Sequence, residues 1–182
     1  DFIGDKILTL AEHKICCYAM HTNFDVMGMA DAVAEQLGLE DRKVLSVTYE
    51  DEISKEGIGR AGILPTPMTL AECAEYVKSR CKIEQVKVYG MPAETIVMAA
   101  VCPGSGKGCI EDAVRLGADV LITGDIDHHE GIDAVEQGLS IIDAGHYGLE
   151  KIFVPCMEEY CKKKLSGVTI HTAPEKNPFW TA

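Results

Sequence analysis

The sequence predicts an α/β fold: a mixed, largely parallel sheet flanked by helices. Two observations carry that expectation. First, short apolar β-type runs at residues 120–123 and 139–142 alternate with helical patterns that stop at Gly117 and Gly138. Second, 182 residues with 47% hydrophobic and 25% charged side chains suit one sizeable soluble domain. A Gly- and Pro-rich stretch at 51–68 marks a possible boundary between two lobes.

Taken in order, residues 3–12 place Ile3, Ile7, Leu8, Leu10 and Ala11 roughly on one helical face. Residues 15–20 (ICCYAM) read as a buried strand, and a helix over 28–37 closes at Gly38. β-branched residues predict a strand over 44–49, followed by a crossover loop carrying GIGRAGILPTP. Pro67 and Thr69 precede a helix over 70–81, with Leu70, Cys73, Ala74 and Val77 as its core face. Strands over 86–89 and 96–101 lead to a Gly104-Ser105-Gly106-Lys107-Gly108 turn and a helix over 109–116. After the two runs named above, a long helix over 147–165 and a short strand over 168–172 complete the pattern. The tail KNPFWTA is expected to dock on the surface.

A net charge of −12 opposes non-specific binding to nucleic acid or anionic membrane and favours attraction of divalent cations. No apolar run is long enough to span a bilayer. The eight cysteines lie mostly inside apolar periodic runs with no C-x-x-C pair, so they are read as buried reduced thiols of a cytoplasmic protein.

The chemistry-bearing residues gather after two strands. Asp125, Asp127, His128, His129 and Glu130 follow the first; Asp143, His146 and Glu150 follow the second. On a helix, His146 and Glu150 at i and i+4 share a face, where imidazole and carboxylate can grip one divalent ion, and the bland alternative is a surface hydrogen bond. His21 and Asp25 repeat that spacing; taken alone, Asp25 reads more simply as a helix cap and His21 as a satisfied core histidine. Asp125 stands at a strand terminus with His129 one turn on, whereas His128 and Glu130 fit a solvated helix start. The glycine turn at 104–108 fails the phosphate-loop pattern, because Val101 stands where the first glycine belongs and Gly108 follows the lysine.

HTNFD at 21–25, GIGRAG at 57–62, GSG at 104–106, ITGD at 122–125 and DAGHYGLE at 143–150 occur in this order. Together they resemble the NGG-one-interacting-factor-three family, described as dinuclear-metal-centre hexameric proteins and as GTP cyclohydrolase I type 2 homologues. The resemblance implies an intertwined two-lobe α/β fold, a homohexamer, and two divalent transition metal ions per subunit (Zn, Fe, Mn, Co or Ni). It carries metal ligation onto Asp25, His146 and Glu150. The family's His-His pair precedes the H-T-N-x-D motif, so residues 1–182 are expected to form one family domain lacking its N-terminal segment. Asp125 and His129 are left as candidates for supporting or acid–base work. The implied activity is metal-assisted hydrolysis of a nucleotide-like molecule, and in the cyclohydrolase form attack of water on the purine imidazole carbon of GTP. The alternatives are a non-enzymatic oligomeric metal-binding or interaction protein and a metal-dependent nucleotide phosphoesterase.

Overall fold

A computed structural model describes residues 1–177, 179 and 180. Six strands form one sheet in the order β1-β2-β4-β5-β6-β3. They are β1 (Glu40–Glu50), β2 (Lys55–Thr69), β3 (Lys87–Tyr89), β4 (Thr95–Ser105), β5 (Val120–Gly124) and β6 (Ser140–Asp143). The β4–β5 and β5–β6 pairs run parallel. The β1–β2, β2–β4 and β3–β6 pairs run antiparallel, so the sheet is mixed, with parallel pairing only in its middle.

The helices are α1 (Phe2–Glu12), α2 (Thr22–Phe24), α3 (Ala30–Gln36), α4 (Leu70–Cys81), α5 (Ile110–Leu116), α6 (His128–Glu136), α7 (His146–Glu150) and α8 (Phe153–Lys164). Between α2 and α3 the chain makes a π-helical turn, Asp25–Met29. Alternate residues of the central strands face opposite sides, as a period of two requires. Ala99, Val101, Val120, Ile122 and Ile142 join α3 and α4 in one core. Ala100, Leu121 and Ile141 join α5 and α6 in the other. α4 begins with a full capping box, in which Thr69 and Glu72 satisfy each other's backbone N–H groups.

Several sequence expectations are corrected. Residues 15–20 form no strand: Ile15 and Tyr18 are exposed, and the run lies outside the ladder, where an apolar sequence has no neighbouring backbone to bond. Cys16 and Cys17 are therefore exposed rather than buried; all eight thiols are free. From Lys55 on, the expected crossover loop is β2, the longest strand, paired on both sides. Its glycines serve close backbone approach: a Cβ on Gly57 would collide with the Ser46 carbonyl. Pro65 and Pro67 fall where the β2–β4 register shifts between Ile63 and Met68, so no ladder bond is lost to them.

The expected long helix over 147–165 is two helices. Pro155 has no N–H to continue a helix from Lys151, and it sits in the first turn of α8, where that N–H is not needed. Residues 168–172 form no strand, and Val168 is exposed. Of the tail, Phe179 and Trp180 are largely exposed, and Pro178, Thr181 and Ala182 lie outside the described residues. No helix among the described residues is long and apolar enough to cross a membrane.

Candidate functional site

The parallel middle of the sheet ends in a cluster of ionisable side chains, where α/β sheets place ligands. β5 stops at Gly124, and Asp125 turns the chain with a positive φ of 57°. β6 stops at Asp143, whose carboxylate accepts the N–H groups of Asp125, Ile126 and Gly145 and pairs with Lys87 at 3.1 Å. Asp143 thus ties the two strand ends together and has little left to offer a ligand.

α7 starts at His146 and puts Glu150 one turn further on the same face. His146 Nδ1 lies 2.8 Å from Asp125 Oδ2, and its Nε2 lies 3.2 Å from Glu150 Oε1. The hydrogen bond to Asp125 raises the His146 pKa against the opposing effect of burial. Burial raises the Glu150 pKa, and nearby Asp25 adds to it while His146 works against it. The glycine turn fits beneath: Gly104 has a φ of 80°, and a Cβ there would stand 2.9 Å from Glu150 Oε1. Thr123 Oγ1 donates to the Cys102 carbonyl at 2.7 Å and fixes the start of that turn.

A cavity of about 540 Å³ opens over these groups. His21, Asp25, His146 and Glu150 all line it, so the two His-x-x-x-acid segments face one space. Asp25 arrives on the π-helical turn, and that turn is held by Arg60 of β2. The Arg60 guanidinium donates to both carboxylate oxygens of Asp31 (2.7 and 2.8 Å), to the Gly57 and Gly59 carbonyls, and to the Val26 carbonyl at 3.4 Å.

His129 does not line the cavity. It is the second residue of α6, exposed, with its ring 5.3 Å from that of His128, and Asp127 caps the helix there. Among the described residues, no group of three or more His, Cys, Asp or Glu side chains is arranged to hold a metal ion. Of the cavity-lining groups, His146 Nε2 and Glu150 Oε1 form a close donor pair, 3.2 Å apart.

What the sequence reading missed is the apolar wall. Phe24 and Phe153 meet edge to face, with centroids 5.1 Å apart, and they line the cavity together with Tyr147 and Phe179. Local pattern carried no signal for it, because Phe24 and Phe153 are far apart in sequence and Phe153 opens a helix separate from the one that holds Glu150.

Comparison with known proteins fits this geometry into a family. The model of the family described as Duf34/NIF3 (NGG1p interacting factor 3) matches residues 1–178. A protein named GTP cyclohydrolase 1 type 2 homolog from Clostridium perfringens is 35% identical over 181 residues, covering 97% of this chain and 68% of its own. One of the same name from Streptococcus pneumoniae is 37% identical over 184 residues, covering 94% and 67%. The chain therefore spans about two thirds of the length of these curated relatives. Among solved structures, a Bacillus cereus protein related to NIF3 superposes with a TM-score of 0.86 at 23% identity, covering 98% of this chain and 77% of its own. Reduced HcgD from Methanocaldococcus jannaschii superposes with a TM-score of 0.70 at 31% identity, covering 90% and 63%.

Proposed function

Because the chain belongs to the Duf34/NIF3 family, we propose that its cavity is a divalent-metal site of a hydrolase-like protein. One observation carries this reading: His146 Nε2 and Glu150 Oε1 converge to 3.2 Å while Nδ1 is held by Asp125 at 2.8 Å. Two ligands bound to one ion at about 2.1 Å each stand roughly 3.4 Å apart at a tetrahedral angle. A carboxylate on the far ring nitrogen is the usual support of a metal-bound imidazole. Asp25 is the third proposed ligand, facing the pair across the cavity.

A bound ion would lower the pKa of its water toward neutrality and clamp a substrate oxygen. The protein's own part is to orient the donors. Asp125 fixes the imidazole tautomer, keeping Nε2 free to donate its lone pair, and Gly104 leaves room for the Glu150 carboxylate. The mixed nitrogen and oxygen set suits Zn, Fe, Mn, Co or Ni. The finer reading, taken from the relatives' name, is opening of the GTP imidazole ring. The homohexamer and the cytoplasmic location implied by the family belong to this proposal too; the exposed apolar residues of α1 and the free thiols support them.

A second reading, metal binding without turnover, is favoured by the lack of a third donor close to the His146–Glu150 pair among the described residues. Elemental analysis of purified protein, followed by GTP turnover with added metal, separates the two. Bound metal that falls in Asp25→Ala and His146→Ala supports the site. Unchanged metal content in both variants removes it. Stoichiometric metal with no ring opening leaves the site and discards the cyclohydrolase.

A further inference from the structure

The walls and floor of the cavity differ in chemistry, and that difference selects among ligands. The floor is acidic, with Asp25 and Glu150 beside the two imidazoles. The ammonium that lines the cavity belongs to Lys151, and its Nζ donates to the Lys82 carbonyl at 2.7 Å. Outside the lining, Lys107 on the glycine turn pairs with Glu130 at 3.4 Å, and Arg60 is buried against Asp31. Recognition of a polyphosphate rests on forked guanidinium or ammonium donors aimed at its oxygens. Among the described residues this lining offers no guanidinium and a single ammonium, that of Lys151, held toward the Lys82 carbonyl, and the chain's net charge of −12 adds long-range repulsion.

The wall is suited to something else. Phe24 and Phe153 stand at 84° to each other, so a flat ring entering the cavity can stack on one while meeting the edge of the other. Tyr147 and Phe179 add further ring surface. We propose that the cavity binds a planar nitrogen heteroaromatic ligand that is neutral or cationic, its ring against Phe24 and Phe153 and its polar edge toward His146 and Glu150, and that it discriminates against the phosphorylated form of the same ring. This rests on the hydrolase reading for where the chemistry occurs and narrows its substrate class, putting an unphosphorylated ring in place of GTP; the binding itself needs no metal.

The test is calorimetric titration of the chelator-treated protein with guanosine, benzimidazole and GTP. Guanosine is expected to bind about tenfold more tightly than GTP. Phe153→Ala and the milder Phe24→Leu are expected to weaken guanosine about fivefold, with thermal melts checking that each variant is folded. Val154→Arg, which places a guanidinium on the lining, is expected to bring GTP up about tenfold and leave benzimidazole unchanged. GTP binding more tightly than guanosine in the unmodified chain overturns the proposal. So does failure of both guanosine and benzimidazole to saturate below about 1 mM, or indifference of both ligands to the two phenylalanine variants. Guanosine binding by a protein that takes up no metal when Zn or Mn is added back after chelation would instead sink the metal-dependent hydrolase and leave the ligand class standing.

Discussion

Asp125 follows the end of β5, and His146 and Glu150 stand on α7 just after β6, in the middle of the sheet, whereas His21 and Asp25, across the cavity, stand on a stretch that packs from outside it. Behind the first group lie β4, β5 and β6, whose central residues are wholly buried. Behind the second lie an exposed coil at residues 15–21 and α1, which buries no residue at all. Yet Asp25 is not loosely held, because Arg60 reaches out from β2 to the Val26 carbonyl and to Asp31. The two walls teach that a site can be built half on a core and half on one buried guanidinium paired with a half-exposed carboxylate.

Removing that pair gives the largest expected effect. Arg60 is 8% exposed, and Arg60→Ala leaves Asp31 and three carbonyls without their donor. A loss of about 3 kcal/mol is expected in urea unfolding, the low end for a broken buried pair because Asp31 can hydrate. An unchanged midpoint would mean that the N-terminal wall has another anchor.

Gly104→Ala strikes the core-built wall. A positive φ and the approach to Glu150 Oε1 should together cost about 2 kcal/mol. Displacement of Glu150 should also shift the His146 ring resonances in NMR, and resonances that stay put would show that Gly104 does not set the pair.

The Asp125–His146 contact is expected to contribute less, about 0.5 kcal/mol, because both side chains are about half exposed. In metal-free protein the folded pKa of His146 lies above its unfolded value, so its contribution is complete below about pH 6.5 and fades as pH rises through the folded pKa. The stability gap between the unmodified chain and Asp125→Asn should therefore close toward alkaline pH, and a gap that widens there contradicts the hydrogen bond as its cause.

Smallest of all, Ile7→Ala in α1 should change stability by less than about 0.5 kcal/mol, since Ile7 is 61% exposed. A larger loss at high protein concentration only would identify a contact between copies.

What the sequence disclosed follows the same division. β5 and β6 were legible because apolar runs that end in Gly or Asp need no distant information, and α4 because Pro67 and Thr69 announce its start. β2 was not, because Gly57 and Pro65 are punctuation in a loop but serve close approach and register shift in a sheet, and only the neighbouring strand decides which. The run at residues 15–20 failed for the converse reason: strand pairing is non-local, and apolar content cannot supply a partner. In the site, the i,i+4 spacing of His146 and Glu150 was readable, and so was its echo at His21 and Asp25. The bond from Asp125 to His146 joins two strand ends, and the meeting of Phe24 with Phe153 joins distant segments; neither leaves a mark in local pattern.

The Arg60 clamp has a consequence for the order in which the site is completed. Local opening of the Asp25 turn would have to unseat a buried guanidinium from β2, so that turn shares the cooperative unit of the sheet. The His21 carbonyl accepts the N–H groups of Phe24 and Asp25, so its backbone is set by the same turn, while its side chain is exposed. Asp25 is thus pre-organised, its ordering entropy already spent in folding, and a ligand that recruits His21 must fix that exposed imidazole at the moment of binding.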